Sequence, residues 1–211
     1  MSSPLTAADQ LGGRSLLLAT TNPHKIAEFR DLLREAPYEL IDPRDLGLDL
    51  DVPETGATFA ENAEIKARAW ARASQMLALA DDSGLEIDAL NGDPGLYSAR
   101  WAGPDVTYPE RFRILLAKLH DVPADERTAR YRCAIAVADP AQVRFVVDGV
   151  LEGRIATAPR GSGGFGYDPI FDVPAFGRTV GEMTAAEKHR ISHRARAAEA
   201  AVRELKRLAS G

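Results

Sequence analysis

The sequence predicts an α/β protein in which a mixed β-sheet is flanked by helices and organised as two lobes. Short apolar runs alternate with segments of helical periodicity in the first half of the chain. Two long β-type segments then follow in succession, and a helical segment closes the chain. Alternating elements favour helices packed on a sheet, and the later β-rich portion makes that sheet mixed.

The first strand and the first helix are predicted close to the N-terminus. Ser15–Ala19 is a short apolar run, which is typical of a buried strand. Asn22 is a favourable N-cap and Pro23 suits the first helical position, so a helix should begin there. Tyr38–Ile41 is a candidate second strand. Residues at helical spacing predict the buried face of this helix: Ile26, Phe29, Leu32 and Leu33.

A second helix should follow the turn at Glu54-Thr55-Gly56. Thr58 and Glu61 have the spacing of a capping box. Met76–Ala80 then predicts a buried strand that ends at an acidic pair, and Leu85–Leu90 predicts a further strand. One face of the second helix is predicted from Phe59, Ala63, Lys66, Ala67, Trp70 and Ser74.

The middle of the chain predicts a loop, a helix and two long strands. Asn91–Pro104 is rich in Gly and Pro and should be an ordered loop. Pro109–Leu119 has helical periodicity. Thr128–Ala138 and Val143–Leu151 read as strands, with a possible hairpin turn at Asp139-Pro140.

The C-terminal part predicts a glycine-rich loop and two helices. The loop is Gly161–Tyr167, and a capping box at Thr184–Glu187 opens a short helix. Ile191–Leu208 is amphipathic and should be the final helix. Residues 1–13 are expected to be a flexible leader, and residues 14–211 a single two-lobed domain.

Composition excludes several classes of protein. Hydrophobic residues make up 45% and charged residues 27%, as in an ordinary globular protein. The net charge of −5 argues against a protein that binds nucleic acid by neutralising many phosphates. No segment has the pattern of a signal peptide or is long enough to span a bilayer, so we expect a soluble, cytoplasmic protein without a membrane partner. The single cysteine, Cys133, cannot form an internal disulfide.

The first candidate site is the segment Thr20-Thr21-Asn22-Pro23-His24-Lys25. It joins a predicted strand to a helix N-terminus, where free N–H groups and the helix dipole favour a phosphate, and Lys25 adds a full charge. The alternative is a well-capped helix with a solvated lysine. This segment contains neither a GxGxxG motif nor a Walker A loop, which disfavours the standard dinucleotide and P-loop classes at this place.

The second candidate is Asp81-Asp82-Ser83-Gly84, after an apolar strand. Adjacent carboxylates at such a place need solvent, a metal or hydrogen-bond donors. Magnesium prefers few protein carboxylates together with phosphates and water. An Asp-rich turn is the alternative.

A third candidate combines Glu54 with the second helix. Asn62 and Lys66 are four residues apart and share a helix face that could line a cleft. Glu61 is explained at least as well by the capping box, and Lys66 by an exposed lysine with an apolar stem.

Two further candidates lie in the C-terminal part. Gly161–Pro169 places Phe165 in a glycine-rich loop, where its ring could stack on a base. Lys188 could contact a phosphate, while His193 and Arg194 could donate hydrogen bonds to a base edge. The alternatives are a connector with core aromatics and an ordinary basic helix.

Together these segments resemble the nucleoside-triphosphate pyrophosphatases that act on inosine and xanthosine triphosphates. The matches occur in the family's order between about residues 15 and 208. They are TTNPHKIAEF (20–29), ETGATFAENAEIKA (54–67), DDSGLEIDALNGDPGLYSAR (81–100), GGFGYDPIF (163–171) and TAAEKHRISHR (184–194).

The resemblance implies an elongated mixed sheet in two lobes with a central cleft. It also implies hydrolysis of the α–β phosphoanhydride of nonstandard purine nucleotides (dITP/ITP and dXTP/XTP), which gives a nucleoside monophosphate and pyrophosphate. Bases with a 6-keto group, such as hypoxanthine and xanthine, would be preferred to adenine. The implied cellular role is removal of these nonstandard nucleotides from the nucleotide pool. Mg²⁺ is the implied cofactor and a homodimer the implied assembly.

The resemblance also implies residue roles. Asp82 would accept a proton and bind the metal, and Glu54 would help to hold it. Phe165 would stack on the base. Six residues would contact the phosphates or other parts of the substrate: Thr20, Thr21, Asn22, Lys25, Lys66 and Ser83. The rest of the base site would be formed by Gly166, Tyr167, Asp168, Lys188, His193 and Arg194. Asp81, Glu61 and Asn62 would support these groups.

Two other functions remain open. One is a hydrolase of related fold that acts on modified pyrimidine nucleotides, which the base wall around Phe165 and His193 disfavours. The other is a non-catalytic nucleotide-binding module. Intact Asp82, Glu54 and Lys25 argue against it, because a protein that only binds needs no metal and base pair.

Overall fold

The computed structural model describes residues 14–211, so the predicted leader at 1–13 lies outside the described residues. This part of the chain contains five α-helices and seven β-strands. The helices are α1 Pro23–Leu32, α2 Phe59–Ser74, α3 Tyr108–Lys118, α4 Ala185–Ile191 and α5 His193–Ser210. The strands are β1 Ser15–Leu18, β2 Glu39–Ile41, β3 Leu77–Ile87, β4 Thr128–Ala138, β5 Val143–Ile155, β6 Phe171–Val173 and β7 Arg178–Thr179.

All seven strands belong to one mixed sheet, in the order β2-β1-β3-β4-β5-β6-β7. β1 runs parallel to both β2 and β3, with Leu17 opposite Ile41 on one side and Ala78 on the other. β6 is antiparallel to β5 and to β7. The predicted α/β class with a mixed sheet is confirmed.

The hairpin predicted around Asp139 is also confirmed. β4 and β5 are neighbours, and a four-residue connection permits only an antiparallel pair. The Asp139 N–H donates to the Gln142 carbonyl at 3.0 Å, and Asp139 Oδ1 accepts from the N–H groups of Ala141 and Gln142. β5 continues to Ile155, four residues beyond the predicted end at Leu151.

Local caps explain where the helices begin. Asn22 Oδ1 accepts from the N–H groups of His24 and Lys25, as an N-cap should. The predicted box between Thr184 and Glu187 is complete. The box predicted at Thr58 is only half formed: Thr58 Oγ1 accepts from the Glu61 N–H, but Glu61 accepts from the Ala57 N–H instead of the Thr58 N–H.

The prediction that a strand ends at the acidic pair is wrong. β3 runs without interruption from Leu77 through Asp81 and Asp82 to Ile87. The two carboxylates have side-chain donors inside the protein, so the strand need not end there to hydrate them. Asp88–Leu90, predicted as the end of a further strand, is a 3₁₀ turn.

The prediction of one helix over 191–208 is also wrong at its beginning. Ile191 is the last residue of α4, and Ser192 has extended backbone angles, with φ −65° and ψ 156°. Its Oγ accepts from the Ala195 N–H at 3.1 Å, which is the bond that a serine N-cap makes. Ser192 therefore ends α4 and caps α5.

The chain divides into two compact units. The first comprises the described residues up to Asp82 together with 133–148 and 196–211. Alternate side chains of its strands enter two apolar clusters, because successive residues of a strand face opposite sides. Leu18 and Leu79 pack with Phe29 of α1 and Leu205 of α5. Leu17, Ala78 and Ala80 pack with α2 through residues that include Ala63, Ala67 and Trp70.

The second unit comprises 83–132 and 149–195 and has its own core. Phe112 and Leu115 of α3 pack there with strand residues that include Tyr131 and Phe171. Within residues 14–211, every helix is too short or too polar to cross a membrane.

Candidate functional site

The two carboxylates of the acidic pair point to opposite faces of β3. Asp81 follows the side-chain direction of Leu79, toward the α1 face, and Asp82 follows that of Ala80, toward the α2 face. On the α1 face, Lys25 Nζ donates to Asp81 Oδ1 at 2.9 Å. Cys133 Sγ lies 4.0 Å from Asp81 Oδ2. Lys25 of the first candidate segment and the acidic pair are therefore adjacent in space.

On the other face, Asp82 is held by two side chains of α2. Asn62 Nδ2 donates to Asp82 Oδ2 at 3.0 Å, and Lys66 Nζ donates to Asp82 Oδ1 at 3.2 Å. Lys66 Nζ also donates to Glu54 Oε1 at 2.8 Å. The structure thus brings Asp82 of the second candidate together with Glu54, Asn62 and Lys66 of the third.

The charges in this cluster depend on one another. Burial raises the pKa of Asp82, Lys66 opposes this shift, and the nearby Glu54 carboxylate adds to it, so that the pKa lies above its usual value. Burial lowers the pKa of Lys66, but Asp82, Asp81 and Glu54 outweigh that effect, and its pKa is raised overall. Lys66 is therefore an ammonium whose charge compensates buried carboxylates.

Asn62 supports this cluster with both ends of its amide. Its Oδ1 accepts from the Gly56 N–H at 2.8 Å while its Nδ2 donates to Asp82. A Cβ at Gly56 would lie 2.6 Å from Glu61 Cβ, so the turn after Glu54 packs tightly against α2. Glu61 itself is exposed, and its carboxylate bonds the Ala57 N–H; the structure does not bring it to the Asp82 cluster.

The segment from Thr20 to Asn22 forms an exposed connection between β1 and α1. The Asn22 N–H donates to Thr20 Oγ1 at 3.2 Å, and Asn22 caps the helix. Thr21 is exposed. The N–H groups of Asn22, His24 and Lys25 bond local side chains, so the helix dipole and the Lys25 ammonium are what suit this end of the ten-residue helix to an anion.

Glu54 and Asp82 are the oxygen donors that could hold a divalent cation in the first unit. No group of three or more His, Cys, Asp or Glu side chains within residues 14–211 has the arrangement of a closed metal site. A pair of carboxylates nevertheless fits Mg²⁺, which keeps several waters and takes further oxygens from substrate phosphates. The two carboxylates are ligands of the kind that Mg²⁺ takes, and in this structure the Lys66 ammonium contacts both of them.

The second unit contains an aromatic ring flanked by cations. Lys188 Nζ lies 4.5 Å and Arg194 Cζ 5.5 Å from the centroid of the half-buried Phe165 ring. Arg194 also donates to Ser83 Oγ at 2.8 Å. Lys188 and Arg194 are 5% and 2% exposed, so this unit buries two cations beside one ring.

Asp168 organises the loop that carries Phe165. Its Oδ2 accepts from the Phe165 N–H at 2.9 Å and from Lys188 Nζ at 2.8 Å, and its Oδ1 accepts from the Tyr131 hydroxyl at 3.1 Å. Gly164 has φ +70°, and a Cβ there would collide with Asp168 Oδ2. The glycine is therefore required by both its backbone conformation and the carboxylate against it.

Tyr167 differs from the other members of the predicted base wall. Its side chain is buried, its hydroxyl donates to the Ser98 carbonyl at 3.0 Å, and its ring meets Tyr108 edge-on. Burial raises the pKa of Tyr167 well above its usual value. Its side chain therefore anchors the loop. The neighbouring Gly166 has no side chain, so it can offer only backbone groups to a substrate.

Sequence reasoning missed Tyr131. This residue contacts both Asp168 and His193 in the group of side chains around Phe165, Asp168, Lys188, His193 and Arg194, which we call the second-unit cluster. It donates to Asp168, and its ring stacks on His193 with centroids 4.7 Å apart. It lies in a long apolar strand outside every motif. The only signal was an aromatic side chain on that strand, which does not distinguish a core residue from a site residue.

The fold and the two groups of polar side chains, around Asp82 and around Phe165, together define the class of protein. It is an α/β protein on a mixed sheet, with carboxylates and lysines gathered in one unit and a cation-flanked aromatic ring in the other. Within that class, the chain belongs to the Ham1 family, whose model matches residues 16–204.

Relatives support this membership along nearly the whole chain. A dITP/XTP pyrophosphatase from Symbiobacterium thermophilum is 54% identical over 87% of this chain and 91% of its own length. One from Geobacillus kaustophilus is 47% identical over 87% and 90%. The structure of a HAM1 protein from Coxiella burnetii superposes with a TM-score of 0.84 at 42% identity, covering 92% of this chain and 99% of that one. The resemblance inferred from the motifs is confirmed.

Proposed function

We propose that this protein hydrolyses the nonstandard purine nucleoside triphosphates dITP/ITP and dXTP/XTP to the nucleoside monophosphate and pyrophosphate. The observation that carries the proposal is the cluster of Asp82, Lys66 and Glu54, in a chain 54% identical to a protein named dITP/XTP pyrophosphatase. Removal of these nucleotides would keep their bases out of DNA and RNA.

Asp82 is the proposed proton acceptor. A water oxygen attacks the α-phosphorus, its proton passes to Asp82, the bond from the α-phosphorus to the bridging oxygen breaks, and pyrophosphate leaves. Asn62 and Lys66 orient the two oxygens of Asp82, so its position is set before substrate binds. Asp81 supports the site by orienting Lys25.

Positive charge for the triphosphate comes from the chain and from the proposed cofactor. Lys25 and Lys66, with Thr20, Thr21 and Asn22, bind the phosphates; Lys188 adds charge in the second unit. Phosphoryl transfer depends mainly on such positioning and charge neutralisation. Mg²⁺, which Glu54 and Asp82 would hold, supplies charge neutralisation of the phosphate oxygens when bound.

The second unit carries the groups for the base. Phe165 stacks on the purine, a contact worth about 1–3 kcal/mol. His193 and Arg194 are the proposed donors to the 6-keto oxygen, and an adenine amino group would leave such a buried donor unpaired. Gly166, Tyr167 and Asp168 complete that wall, Tyr167 and Asp168 by fixing the loop, and Ser83 contacts the substrate.

A panel of nucleotides with Mg²⁺ tests this function. Pyrophosphate and phosphate release are measured separately for ITP, XTP, ATP, GTP and a modified pyrimidine triphosphate. Pyrophosphate from ITP and XTP, at kcat/KM well above that for ATP, supports the proposal. Phosphate release, or a preference for the pyrimidine, contradicts it, as does binding without turnover.

We further propose that the protein acts as a cytoplasmic homodimer, as the family resemblance implies. Light scattering of the purified protein across a concentration series tests the assembly, and fractionation of cells tests the location. A mass equal to one chain at all concentrations contradicts the dimer.

A further inference from the structure

Tyr131 of β4 joins two groups of the second-unit cluster that lie far apart in sequence. Its ring stacks on Phe171, with centroids 4.3 Å apart and planes inclined by 27°. It also stacks on His193, at 4.7 Å and 20°. Its hydroxyl donates to Asp168, and the whole side chain is only 7% exposed. Tyr131 therefore contacts the proposed base donor and the residue that fixes the Phe165 loop.

The Asp168 carboxylate depends on this hydroxyl. Within residues 14–211, the Phe165 N–H and Lys188 Nζ both bond Oδ2, and only Tyr131 bonds Oδ1. Burial raises the pKa of Tyr131 well above its usual value, with the Asp168 charge adding to the shift. The hydroxyl therefore keeps its proton and remains a donor over the whole working range of pH.

We propose that Tyr131 is a positioning residue for base specificity: through Asp168 and His193 it holds the Phe165 loop and the proposed base donor in one arrangement. The inference rests on the proposed function. It assigns a role to a residue that would contact the nucleotide only through its neighbours.

Loss of the hydroxyl should affect the two kinds of purine differently. A buried carboxylate oxygen without a donor is costly, so Asp168 will turn toward another donor and shift the Phe165 N–H and Lys188. Arg194, one of the two proposed base donors, packs against the Phe165 ring and would be displaced with it. A 6-keto base needs this donor aligned with its oxygen, whereas adenine gains nothing from that alignment. Hence kcat/KM should fall for ITP and change little for ATP.

The test is Tyr131→Phe, which removes the hydroxyl and keeps the ring. We expect the ratio of kcat/KM for ITP over ATP to fall about tenfold, equivalent to ~1.4 kcal/mol. Leu115→Ala is the control, because Leu115 is fully buried in the same core and bonds none of the cluster. It should lower stability and leave the ratio unchanged. An unchanged ratio in Tyr131→Phe, or an equal fall in Leu115→Ala, overturns the proposal.

A double-mutant cycle separates positioning from general destabilisation. If Tyr131 acts through Asp168, adding Tyr131→Phe to Asp168→Ala should lower the ratio no further; additive losses contradict this route. Calorimetric titration with inosine and adenosine monophosphates, without metal, gives a readout independent of turnover. Tyr131→Phe should weaken inosine monophosphate binding selectively, and equal weakening of both contradicts the role. Asp168→Ala removes the acceptor of the same bond and tests it if Tyr131→Phe does not fold.

The wild type keeps this test distinct from that of the proposed function. A wild-type protein that releases no pyrophosphate from ITP refutes the function, and the inference with it. A wild type that prefers ITP, together with a Tyr131→Phe variant that keeps this preference, refutes the role of Tyr131 alone.

Discussion

The ammonium of Lys66 lies between two carboxylates, 2.8 Å from Glu54 Oε1 and 3.2 Å from Asp82 Oδ1. The side chain of Asp82 is only 9% exposed, and Asn62 donates to its other oxygen. A buried carboxylate is tolerated where it is paired and hydrogen-bonded in this way. Lys66 therefore makes it possible for the proposed base to be charged and already oriented before substrate binds.

Asp82→Asn should nearly abolish turnover and leave the fold intact. The amide has almost the shape of the carboxylate but cannot accept the proton of the attacking water. Loss of a general base typically lowers kcat by about 10²–10⁴-fold. Pyrophosphate release and circular dichroism measure the two effects. Asp88→Asn is the matched control, because Asp88 bonds Arg130 and Thr128 on the surface. Near-normal release by Asp82→Asn would show that the base has been misassigned.

His193→Ala and Arg194→Ala should each narrow the preference for ITP over ATP. Both side chains are buried in the cluster around Phe165, and a lost donor to a keto oxygen costs about 1–3 kcal/mol. The measurement is the ratio of kcat/KM for the two nucleotides. Arg190→Ala serves as control, since Arg190 is an exposed residue of α4. A variant whose ratio equals that of the wild type excludes the donor role for the residue tested.

Gly164→Ala should destabilise the protein by about 1–3 kcal/mol and lower kcat/KM for ITP. The new methyl group would be forced into a left-handed backbone conformation and against Asp168 Oδ2. Gly47→Ala separates the two causes, because Gly47 has φ +63° with nothing within 4 Å of the added Cβ. Chemical denaturation and ITP kinetics are measured for both. Equal effects of the two substitutions would mean that the contact with Asp168 is unimportant.

Glu187→Gln should lower stability at neutral pH but not in strong acid. A hydrogen bond from Arg178, with further bonds from Thr184, lowers the pKa of Glu187 from 4.5 to about 2. A carboxylate with a depressed folded-state pKa stabilises the fold above its unfolded pKa, and this contribution is lost as pH falls through the folded value. The difference in unfolding free energy between wild type and variant should therefore shrink between pH 4.5 and about 2.

Urea denaturation at several pH values measures that difference. Glu199→Gln is the control, because Glu199 is an exposed residue of α5 that pairs only weakly with Arg203. A difference that stays constant from neutral to acid pH contradicts the assigned cause.

Local chemistry was enough to predict much of the fold. Asn22 and Thr184 are caps because short polar side chains bond free helix N–H groups, and the sequence displays them directly. The end of β3 was predicted wrongly for a related reason. Asp81 and Asp82 read as a strand terminus because their donors, Lys25 and Asn62, lie far away in sequence.

The sequence indicated which polar side chains lie together, but not what each of them contacts. Motif order gathered Asp82, Lys66 and Glu54 correctly, yet Tyr167 proved to use its hydroxyl on the Ser98 carbonyl. Glu61 bonds backbone instead of the cluster. Side-chain direction and long-range partners decide such roles, and neither is visible in one dimension.

The interruption at Ser192 has a consequence for how the ring of Phe165 is surrounded. An α-helix turns by about 100° per residue, so an unbroken helix from Lys188 would place Arg194 about 120° away around its axis. The two cations would then diverge. α4 ends at Ile191, and α5 begins as a separate helix at His193. The directions of the Lys188 and Arg194 side chains are therefore independent, and both cations can contact one ring. The break at Ser192 thus allows Lys188 and Arg194 to contact the same ring, which the fixed angle between them on one continuous helix would prevent.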